Sequence, residues 1–572
     1  MADTSNSGQA HRIIKKKRKE DRRIAYFSME IGIDSSIPTY SGGLGILAGD
    51  TIHSFADLNV PVVAVTLLYK KGYFSQSIDS SGLQIEKSTE WNPADHMTLL
   101  PEKAEIKIDG RNVKIQAWMY ELQGANGYFV PVLFLDTDIE ENNPQDRGLT
   151  HSLYGGDQKY RLIQEIILGI GGVRILKQLE YKNISRYHMN EGHASLLALE
   201  LLRESNIDNS GWDIDAIKKM CLFTTHTPVP AGHDQFPYDL VTQLLGDFMP
   251  IDLIKKLGGD DKLNMTRLAM NLSDYVNGVA KQHGKVSTEM FPGYYIDSIT
   301  NGVHLATWVA PSFKALYDRY IPGWPNDPFS LRYALSIPGD QIWNAHSEAK
   351  KQLIDYVNNN YNAGFDPDVL TIGFARRATT YKRADLVFSD VDRLCDICRR
   401  VGKIQFVFAG KAHPNDWPGK EIIKKIHSMI SQLKDCVKIV YLNEYNISLA
   451  KVLIPGVDVW LNTPRRPQEA SGTSGMKAAL NGIPSFSILD GWWIEGCIEG
   501  ITGWAIGSAA DVGISDAQEA GFLYQKLESV IIPTFYNNRQ HWIDIMRNAV
   551  AINASFFNTH RMVQQYVLRA YL

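Results

Sequence analysis

A lysine that follows a run of small residues is the first feature that could do chemistry. The segment from Glu469 to Lys477 reads EASGTSGMK. Backbone N–H groups in Ser471–Gly475 could form a nest for an anion. An amine flanked by Met476 and Ala478 can lose its proton and form a Schiff base with a carbonyl compound. The segment predicts a site for an anionic carbonyl cofactor, and the alternative is an ordinary surface lysine on a helix.

Two other segments offer cations and backbone donors to an oxyanion. Arg376–Arg383 reads RRATTYKR and follows an apolar strand, and four cations in eight residues suit a phosphate. Tyr40–Asp50 reads YSGGLGILAGD, in which glycines precede an amphipathic helix. The glycine spacing does not match a Walker A or dinucleotide motif. Each segment predicts phosphate binding. The alternative for Arg376–Arg383 is a solvated basic loop, and the alternative for the glycine segment is a plain turn.

The elements that must position these residues form an α/β pattern. Continuous apolar runs such as Val369–Ala375 and Ile404–Gly410 alternate with amphipathic helical segments. This pattern predicts parallel sheets in two Rossmann-like domains that face each other across a cleft, with ligands at the carboxyl ends of the strands. The predicted divisions are a disordered basic arm (1–23), an N-terminal domain (24–301) and a C-terminal domain ending in a helix (302–572).

Composition excludes several classes of protein. The chain has 572 residues, 44% hydrophobic and 21% charged, with a net charge of −4. These values exclude collagen-like and disordered chains and give no basic excess for nucleic acid. The longest apolar run, Ile166–Val173, is far shorter than the ~20 residues of a membrane span. The first 20 residues lack the apolar core of a secretory signal, so we expect a cytoplasmic protein.

Cysteine and histidine spacing predicts neither a disulfide framework nor a metal site. Five cysteines are an odd number, and Cys395 and Cys398 form a single CxxC without a second pair, so we expect reduced, packed thiols. Trp492 and Trp493 could stack on a sugar ring or pack in the core. Two histidine pairs lack the spacing of an HExxH zinc site: His188 with His193, and His226 with His233.

The sequence resembles the short members of the α-glucan (glycogen, starch, maltodextrin) phosphorylase family. EASGTSGMKAALNG is similar to the pyridoxal-phosphate signature of that family. Other segments occur in family order from residue 24 to about 505. YSGGLGILAGD resembles the family's glycine loop, and HMNEGHASLLALELL and TTHTPVPAGHDQFP resemble its sugar-binding and neighbouring segments. ITNGVHLATW resembles the end of its first domain. RRATTYKR and LNEYNISLA resemble its phosphate-site and cofactor-wall segments. The resemblance implies the GT-B glycosyltransferase architecture.

The resemblance also implies roles for individual residues. Lys477 would bind pyridoxal 5'-phosphate covalently. The other cofactor contacts would be Thr473, Ser474, Arg376 and Tyr445. The substrate phosphate would contact Gly43, Arg377 and Lys382. The transferred glucose would contact His193, Asn301, Glu469, Ala470, Ser471, Gly472, Tyr381 and the acidic loop residue Asp157. The residues implied to be catalytic are Lys477, Arg377, Lys382, His193 and Glu469.

The reaction implied by the resemblance is reversible phosphorolysis. Inorganic phosphate would release the non-reducing terminal glucose of an α-1,4-glucan as glucose 1-phosphate, with retained configuration. The cofactor's phosphate would relay the proton, so the paired carboxylates of glycoside hydrolases are not needed. The resemblance further implies a homodimer. The charge balance, the short apolar runs and the histidine spacing lead us to expect no nucleic-acid, membrane or metal partner. Thr379 and Asn446 depart from the family pattern, and the short arm predicts no activation by AMP.

Two other functions stay open on the sequence. A sugar-nucleotide glycosyltransferase, such as a starch or glycogen synthase, would share the two-domain architecture but has no use for a Schiff-base lysine. A catalytically inactive glycan-binding protein would not need the cations and Glu469 that are present here. Lys477 therefore discriminates between a phosphorylase and these two alternatives. The sequence does not determine the preferred glucan length or the physiological direction of the reaction.

Overall fold

The computed structural model describes residues 19–206, 211–511 and 513–572. Its strands form two large sheets and two small two-stranded antiparallel sheets. In chain order they are β1 (Ile24–Ser28), β2 (Val62–Leu67), β3 (Ser75–Ile78), β4 (Gln84–Lys87), β5 (Thr98–Ile108), β6 (Arg111–Gln123), β7 (Phe129–Asp136), β8 (Arg186–Asn190), β9 (Cys221–Thr224), β10 (Gln235–Pro237), β11 (Lys262–Asn264), β12 (Tyr275–Gly278), β13 (Asp297–Ser298), β14 (Leu370–Ala375), β15 (Ile404–Ala409), β16 (Lys438–Leu442), β17 (Val459–Asn462), β18 (Ser485–Ile488) and β19 (Gly503–Ile506).

Helices connect most of these strands. They are α1 (Gly43–Asp57), α2 (Pro144–Arg147), α3 (Gln158–Ile166), α4 (Gly172–Gln178), α5 (Leu196–Ser205), α6 (Ile214–Met220), α7 (Tyr238–Leu245), α8 (Ile251–Gly258), α9 (Met265–Asn271), α10 (Lys281–Met290), α11 (Leu305–Trp308), α12 (Pro311–Tyr320), α13 (Gly339–Tyr361), α14 (Val391–Arg400), α15 (Trp417–Gln432), α16 (Ile447–Gly456), α17 (Ser474–Leu480), α18 (Trp493–Gly496), α19 (Asp516–Lys526), α20 (Ile532–Asn537), α21 (Arg539–Asn548) and α22 (Thr559–Tyr566). Among the described residues, none of these helices has the length and apolar content to cross a membrane.

The second sheet is a six-stranded, fully parallel sheet in the order β16-β15-β14-β17-β18-β19. Its first strand lies at the centre and the chain winds outward in both directions, which is the doubly wound Rossmann order. The strands are continuous buried runs, such as LTIGFA in β14 and IQFVFA in β15. Ligands bind where the winding reverses, which here is the carboxyl edge between β14 and β17.

The first sheet has nine strands in the order β13-β12-β9-β8-β1-β2-β7-β6-β5. The strands from β13 to β7 are parallel, and β6 and β5 extend the sheet as antiparallel strands. Its winding reverses between β1 and β8. The prediction of an α/β fold with parallel sheets is therefore confirmed, and each sheet has one reversal point.

The hydrophobic cores refine the predicted division of the chain. One core holds buried residues from Val303 to Phe557 around the second sheet. The first sheet has one core on each face, and one of these includes Met562, Tyr566 and Tyr571 beside Ile24. The predicted second domain, 302–572, therefore differs from the structure at its end, because the C-terminal helix packs on the first sheet.

The predicted disordered arm, residues 1–23, is also too long. Residues 1–18 lie outside the described ranges. Arg22, however, is 2% exposed. Its guanidinium donates hydrogen bonds to Tyr128 Oη at 2.6 Å and to the Phe129 carbonyl at 2.8 Å. The last residues before β1 are therefore packed against the first sheet.

The prediction that all cysteines are reduced is wrong for one pair. Cys395 on α14 and Cys436, which follows α15, form a disulfide with a Cα–Cα distance of 5.5 Å. Cys398, the CxxC partner of Cys395, is free and buried one turn along α14. Cys395 and Cys398 are three residues apart and lie on neighbouring positions of one helix face. Cys395 is bonded to Cys436, which precedes β16, and Cys398 is buried in the core around the second sheet.

Loss of this disulfide is expected to destabilise the second sheet. The bond joins residues 41 apart, and a closed loop of that length stabilises by roughly 3–4 kcal/mol in the chain-entropy model. We expect Cys436→Ser to lower the Tm, and we expect dithiothreitol to lower the Tm of the wild type but not of the variant. Calorimetry with and without reductant tests this, and equal Tm values in all four samples would contradict it.

Candidate functional site

Glu30 anchors the glycine loop at the reversal point of the first sheet. It follows β1 and is buried. Its carboxylate accepts hydrogen bonds from the backbone N–H groups of Ser41 at 2.5 Å and Gly42 at 3.3 Å. The phenol of Tyr154 donates a third hydrogen bond at 2.9 Å. These donors satisfy a buried charge and fix the loop from which α1 begins at Gly43.

The loop presents open space at two of its glycines. A Cβ added at Gly42 or Gly43 meets nothing within 4 Å, whereas one at Gly49 would lie 1.9 Å from the carbonyl oxygen of Gly32. Gly49 is thus required for packing. Gly42 and Gly43 instead leave room for a ligand at the N-terminus of a 15-residue helix, where backbone N–H groups and the helix dipole favour an anion.

Arg376 and Lys382 share one carboxylate at the reversal point of the second sheet. The guanidinium of Arg376, which follows β14, donates to Glu469 at 2.5 Å and also bonds Asn462 at the end of β17. Lys382 donates to both carboxylate oxygens of Glu469, at 3.0 and 2.8 Å. Burial alone would raise the pKa of Glu469, but the two cations outweigh it and lower the pKa to about 2. Glu469 is therefore an anion at neutral pH.

Arg377 is the cation that the protein leaves available. No ion pair or hydrogen bond engages its guanidinium within residues 19–206, 211–511 and 513–572, and the side chain is exposed. Desolvation by neighbouring protein atoms opposes its charge even though part of the side chain reaches solvent. Tyr381, Tyr73, Tyr154 and Glu30 outweigh this effect and raise the pKa of Arg377 above its ordinary value. Three of these four groups come from the first sheet's half of the chain, so Arg377 stands where the two halves meet.

The amine of Lys477 lies in an aromatic pocket. Its Nζ is 3.5 Å from the centroid of the Trp308 ring, and Asp50 accepts hydrogen bonds from the Trp308 indole N–H at 2.9 and 2.8 Å. Burial lowers the pKa of Lys477 to about 8, against the opposing charge of Asp50. Sequence reasoning assigned no role to Asp50 or Trp308, although each ends a motif that carries the resemblance.

The segment before Lys477 has a backbone feature expected of the predicted nest. Gly472 has a φ of +87°, a conformation that favours glycine. In the described part of the chain, the buried hydroxyls of Ser471 and Thr379 have no hydrogen-bond partner. The hydroxyl of Ser474, the first residue of α17, accepts from the Trp460 indole at 3.0 Å and keeps its own hydrogen to donate. Each of these three hydroxyls has a hydrogen left to donate to an oxyanion such as a phosphate.

Tyr445 completes the edge of the second sheet. Burial raises the pKa of its phenol, although the nearby Arg376 opposes the shift, so the phenol stays neutral. Asn446, which departs from the family pattern, accepts a hydrogen bond from Leu449 N at 2.9 Å and caps α16. The residues predicted to hold the cofactor follow β14, β16 and β17, whose carboxyl ends lie on one edge of the second sheet: Arg376, Tyr445, Thr473, Ser474 and Lys477.

Asp490 is a site residue that sequence reasoning missed. Its carboxylate accepts hydrogen bonds from the backbone N–H groups of Glu469 and Gly491, both at 2.9 Å. Burial raises its pKa to about 7, and the charge of Glu469 adds to the rise. The signal was an aspartate two residues after the end of the buried strand β18. The neighbouring Trp492 and Trp493 are buried in the core, which confirms the packing alternative for them.

His193 lies at the reversal point of the first sheet. Its Nε2 is 3.3 Å from Asp234, which also accepts a hydrogen bond from Arg161 at 2.9 Å. Burial opposes ionisation of Asp234, but Arg161 and His193 lower its pKa below the ordinary value. Nδ1 of His193 is buried without a hydrogen-bond partner among the described residues. An unsatisfied ring nitrogen beside an ion pair suits a hydroxyl ligand.

Asp157 lines a cavity of about 570 Å³ formed by residues 154–158, 230–231 and 233–236 with Arg161 and Lys262. Its carboxylate also caps α3 by accepting from Tyr160 N at 2.9 Å. Asn301 is buried, and its side-chain oxygen has no partner in the described ranges. No hydrogen bond, ion pair or ring contact of the described residues joins Asp157 or Asn301 to Lys477.

Comparisons with known proteins indicate the family of the chain. A family model described as carbohydrate phosphorylase matches residues 250–500. The chain is 39% identical to a maltodextrin phosphorylase of Thermococcus litoralis, over 97% of this chain and 71% of that protein. It is 38% identical to a glycogen phosphorylase of Mycobacterium tuberculosis, over 96% of this chain and 70% of that protein. It is 33% identical to a glycogen phosphorylase of Aquifex aeolicus, over 96% of this chain and 86% of that protein.

Proposed function

The chain belongs to the carbohydrate phosphorylase family, and from this we propose that it is an α-glucan phosphorylase. The enzyme is a glycosyltransferase that moves the non-reducing terminal glucose of an α-1,4-glucan to inorganic phosphate. The observation that carries the proposal is the buried amine of Lys477 beside a nest with an unpartnered hydroxyl. A synthase that uses a sugar nucleotide has no need of such an amine, and the relatives do not favour that alternative.

The two sheets would face each other across a cleft in the GT-B arrangement. Both reversal points carry site residues, and hydrogen bonds link the two halves of the chain nearby. Lys411 donates to the Phe74 carbonyl at 2.8 Å, and Gln76 N bonds the carboxylate of Glu444. Arg377 would then stand opposite the glycine loop, with Gly43 N–H on the far side of one bound phosphate.

The second sheet's edge would hold pyridoxal 5'-phosphate. Lys477 would be its covalent anchor, because the lowered pKa of about 8 leaves a substantial fraction of neutral amine near neutral pH. The nest and its neighbours would bind the phosphate and the ring through Thr473, Ser474, Arg376 and Tyr445. When bound, the cofactor supplies a phosphate that can donate and accept a proton.

The chain's own residues would hold the reactants by charge and hydrogen bonds. Arg377 and the third N–H of the Lys382 ammonium would bind inorganic phosphate and offset its repulsion from a second phosphate. Glu469 would orient glucose through its hydroxyls, and no second carboxylate is needed opposite it. Other proposed glucose contacts are His193, Asn301, Ala470, Ser471, Gly472, Tyr381 and Asp157. A homodimer in the cytoplasm remains part of this proposal, and light scattering tests the oligomeric state.

A phosphorolysis assay tests the proposed function. Purified protein loaded with pyridoxal phosphate is incubated with maltoheptaose and inorganic phosphate, without nucleotide, and glucose 1-phosphate is measured. We expect product that depends on phosphate. Transfer from UDP-glucose or ADP-glucose without phosphate dependence would indicate a synthase instead. Binding of maltoheptaose without either reaction would indicate a glycan-binding protein.

The uptake of pyridoxal phosphate is expected to depend on pH through Lys477. Because burial lowers its pKa to about 8, the neutral amine decreases about tenfold per pH unit below that value. The uptake rate of the apoprotein should therefore rise with pH and level off above pH 8. Asp50→Asn removes the charge that opposes the shift, so the midpoint should move to lower pH. Stopped-flow absorbance measures the rate, and a midpoint near the ordinary 10.5 would contradict this assignment.

A further inference from the structure

A second cluster of side chains lies away from the residues described so far. Asp57 at the end of α1, His304 before α11 and His560 on α22 place one ligand atom each within 4.8 Å of one another. Nε2 of His304 is 2.8 Å from Asp57 Oδ2, and Nε2 of His560 is 3.2 Å from the same oxygen. The side chains are 14%, 7% and 8% exposed, in the order Asp57, His304 and His560.

We propose that Asp57, His304 and His560 bind one divalent transition-metal ion of the zinc type. Two imidazoles and one carboxylate are a donor set that zinc and its neighbours prefer, whereas magnesium and calcium prefer oxygen ligands alone. Bonds of about 2.0–2.1 Å in a tetrahedral site separate ligand atoms by about 3.3 Å. The separations of 2.8 and 3.2 Å are close to that value. The fourth position would hold water.

The surroundings orient the ligands toward one point. Nδ1 of His304 lies 2.6 Å from Thr307 Oγ1, and such a bond fixes the imidazole so that Nε2 faces the ion. Asp57 Oδ1 accepts a hydrogen bond from Ala125 N at 2.8 Å, which leaves Oδ2 for the ion. The ring of His53 stacks on His304 with centroids 4.9 Å apart. These contacts hold the ligands before any ion binds.

His560 gives a further reason to expect an ion. The ring is buried, and its Nδ1 has no hydrogen-bond partner in the described part of the chain. A single contact of 3.2 Å from Nε2 to Asp57 is weak compensation for burying an imidazole. A metal bond at Nε2 would replace that contact with a stronger one and would leave Nδ1 as it is.

The position of the cluster indicates a structural role. It joins the end of α1 to the segment after Asn301 and to the C-terminal helix, which come from distant parts of the chain. Asp57 lies seven residues from Asp50, or about 10 Å along the helix, so the ion would not contact the pocket of Lys477. The proposed phosphorolysis uses no metal, and this inference does not depend on it.

The proposed site is tested by measuring metal binding to the full chain, loaded with cofactor and without a histidine tag. The protein is treated with a chelator and titrated with Co²⁺, whose visible spectrum reports bound ligands, and then with Zn²⁺ in competition. We expect one ion per chain, no competition from Mg²⁺ or Ca²⁺, and a higher Tm with the ion. Absence of binding at millimolar Co²⁺ would overturn the proposal.

Two variants and a control locate the ion. His560→Gln should weaken binding by more than about 100-fold, and Thr307→Val, which keeps all three ligands, should weaken it by about 10–100-fold. The control His541→Gln removes an exposed histidine and should bind like the wild type. Equal binding by Thr307→Val and the wild type, or full binding by folded His560→Gln, would overturn the proposal. Circular dichroism checks the fold of each variant.

Discussion

Replacing Lys477 with alanine is expected to lower the rate of glucose 1-phosphate formation by roughly a thousandfold or more. Without the amine, the proposed cofactor has no covalent anchor, and the acid–base chemistry that it supplies is worth about 10²–10⁴ in rate. Lys477 is buried over the Trp308 ring, so alanine also leaves a cavity beside it. The measurement is the initial rate with maltoheptaose and phosphate, together with the cofactor content of the purified variant.

The control for this experiment is Lys434→Ala, which removes an exposed lysine from the same half of the chain. It should retain wild-type activity and cofactor content. Circular dichroism shows whether the Lys477 variant is folded. A folded Lys477→Ala protein with wild-type activity would contradict the proposed site, because no other residue in the nest offers an amine.

Replacing Arg377 with glutamine is expected to reduce kcat/KM for inorganic phosphate by about 100–1000-fold. Loss of one preorganised group that stabilises a developing or bound oxyanion has effects of this size. Arg376 and Lys382 cannot compensate fully, because both are bonded to Glu469. Arg377→Lys should recover part of the loss, since it keeps the charge but not the forked geometry. The measurement is initial rate against phosphate at saturating glucan.

Arg399→Gln is the matched control, because Arg399 is an exposed arginine on α14. Its kcat/KM for phosphate should equal that of the wild type. If Arg377→Gln changed the KM for glucan alone and left the KM for phosphate unchanged, Arg377 would contact the sugar and the assignment would be wrong. The ratio of the two effects therefore decides which reactant the guanidinium contacts.

Local sequence patterns were sufficient to predict the fold class and to single out Lys477 as the candidate cofactor lysine. Continuous buried runs indicated parallel strands, and glycines before an amphipathic stretch indicated the start of a helix, which the structure has at Gly43. The residues around Lys477 are neighbours in sequence, so their relation could be inferred without strand order. Two motifs that carry the resemblance end at Asp50 and Trp308, but the sequence did not predict the hydrogen bond that Asp50 accepts from Trp308.

Relations between distant segments could not be predicted from the sequence. The ion pair of Glu469 with Arg376 depends on β14 and β17 being neighbours, which only the strand order determines. The disulfide between Cys395 and Cys436 depends on how two helices pack. His304 and His560 are so far apart in the chain that no spacing motif connects them, and the C-terminal helix must return to the first sheet before they meet.

Helix α1 places three contacts at equal intervals along one side. Gly43, Asp50 and Asp57 are each seven residues apart, so they lie on nearly the same line, with a drift of about 20° per interval, over about 21 Å. Gly43 faces open space, and Asp50 accepts a hydrogen bond from Trp308. Asp57 lies beside His304 and His560. Adding or deleting one residue within α1 would rotate the following part by about 100° and misalign these contacts together. The length of this helix is therefore under tighter constraint than its composition.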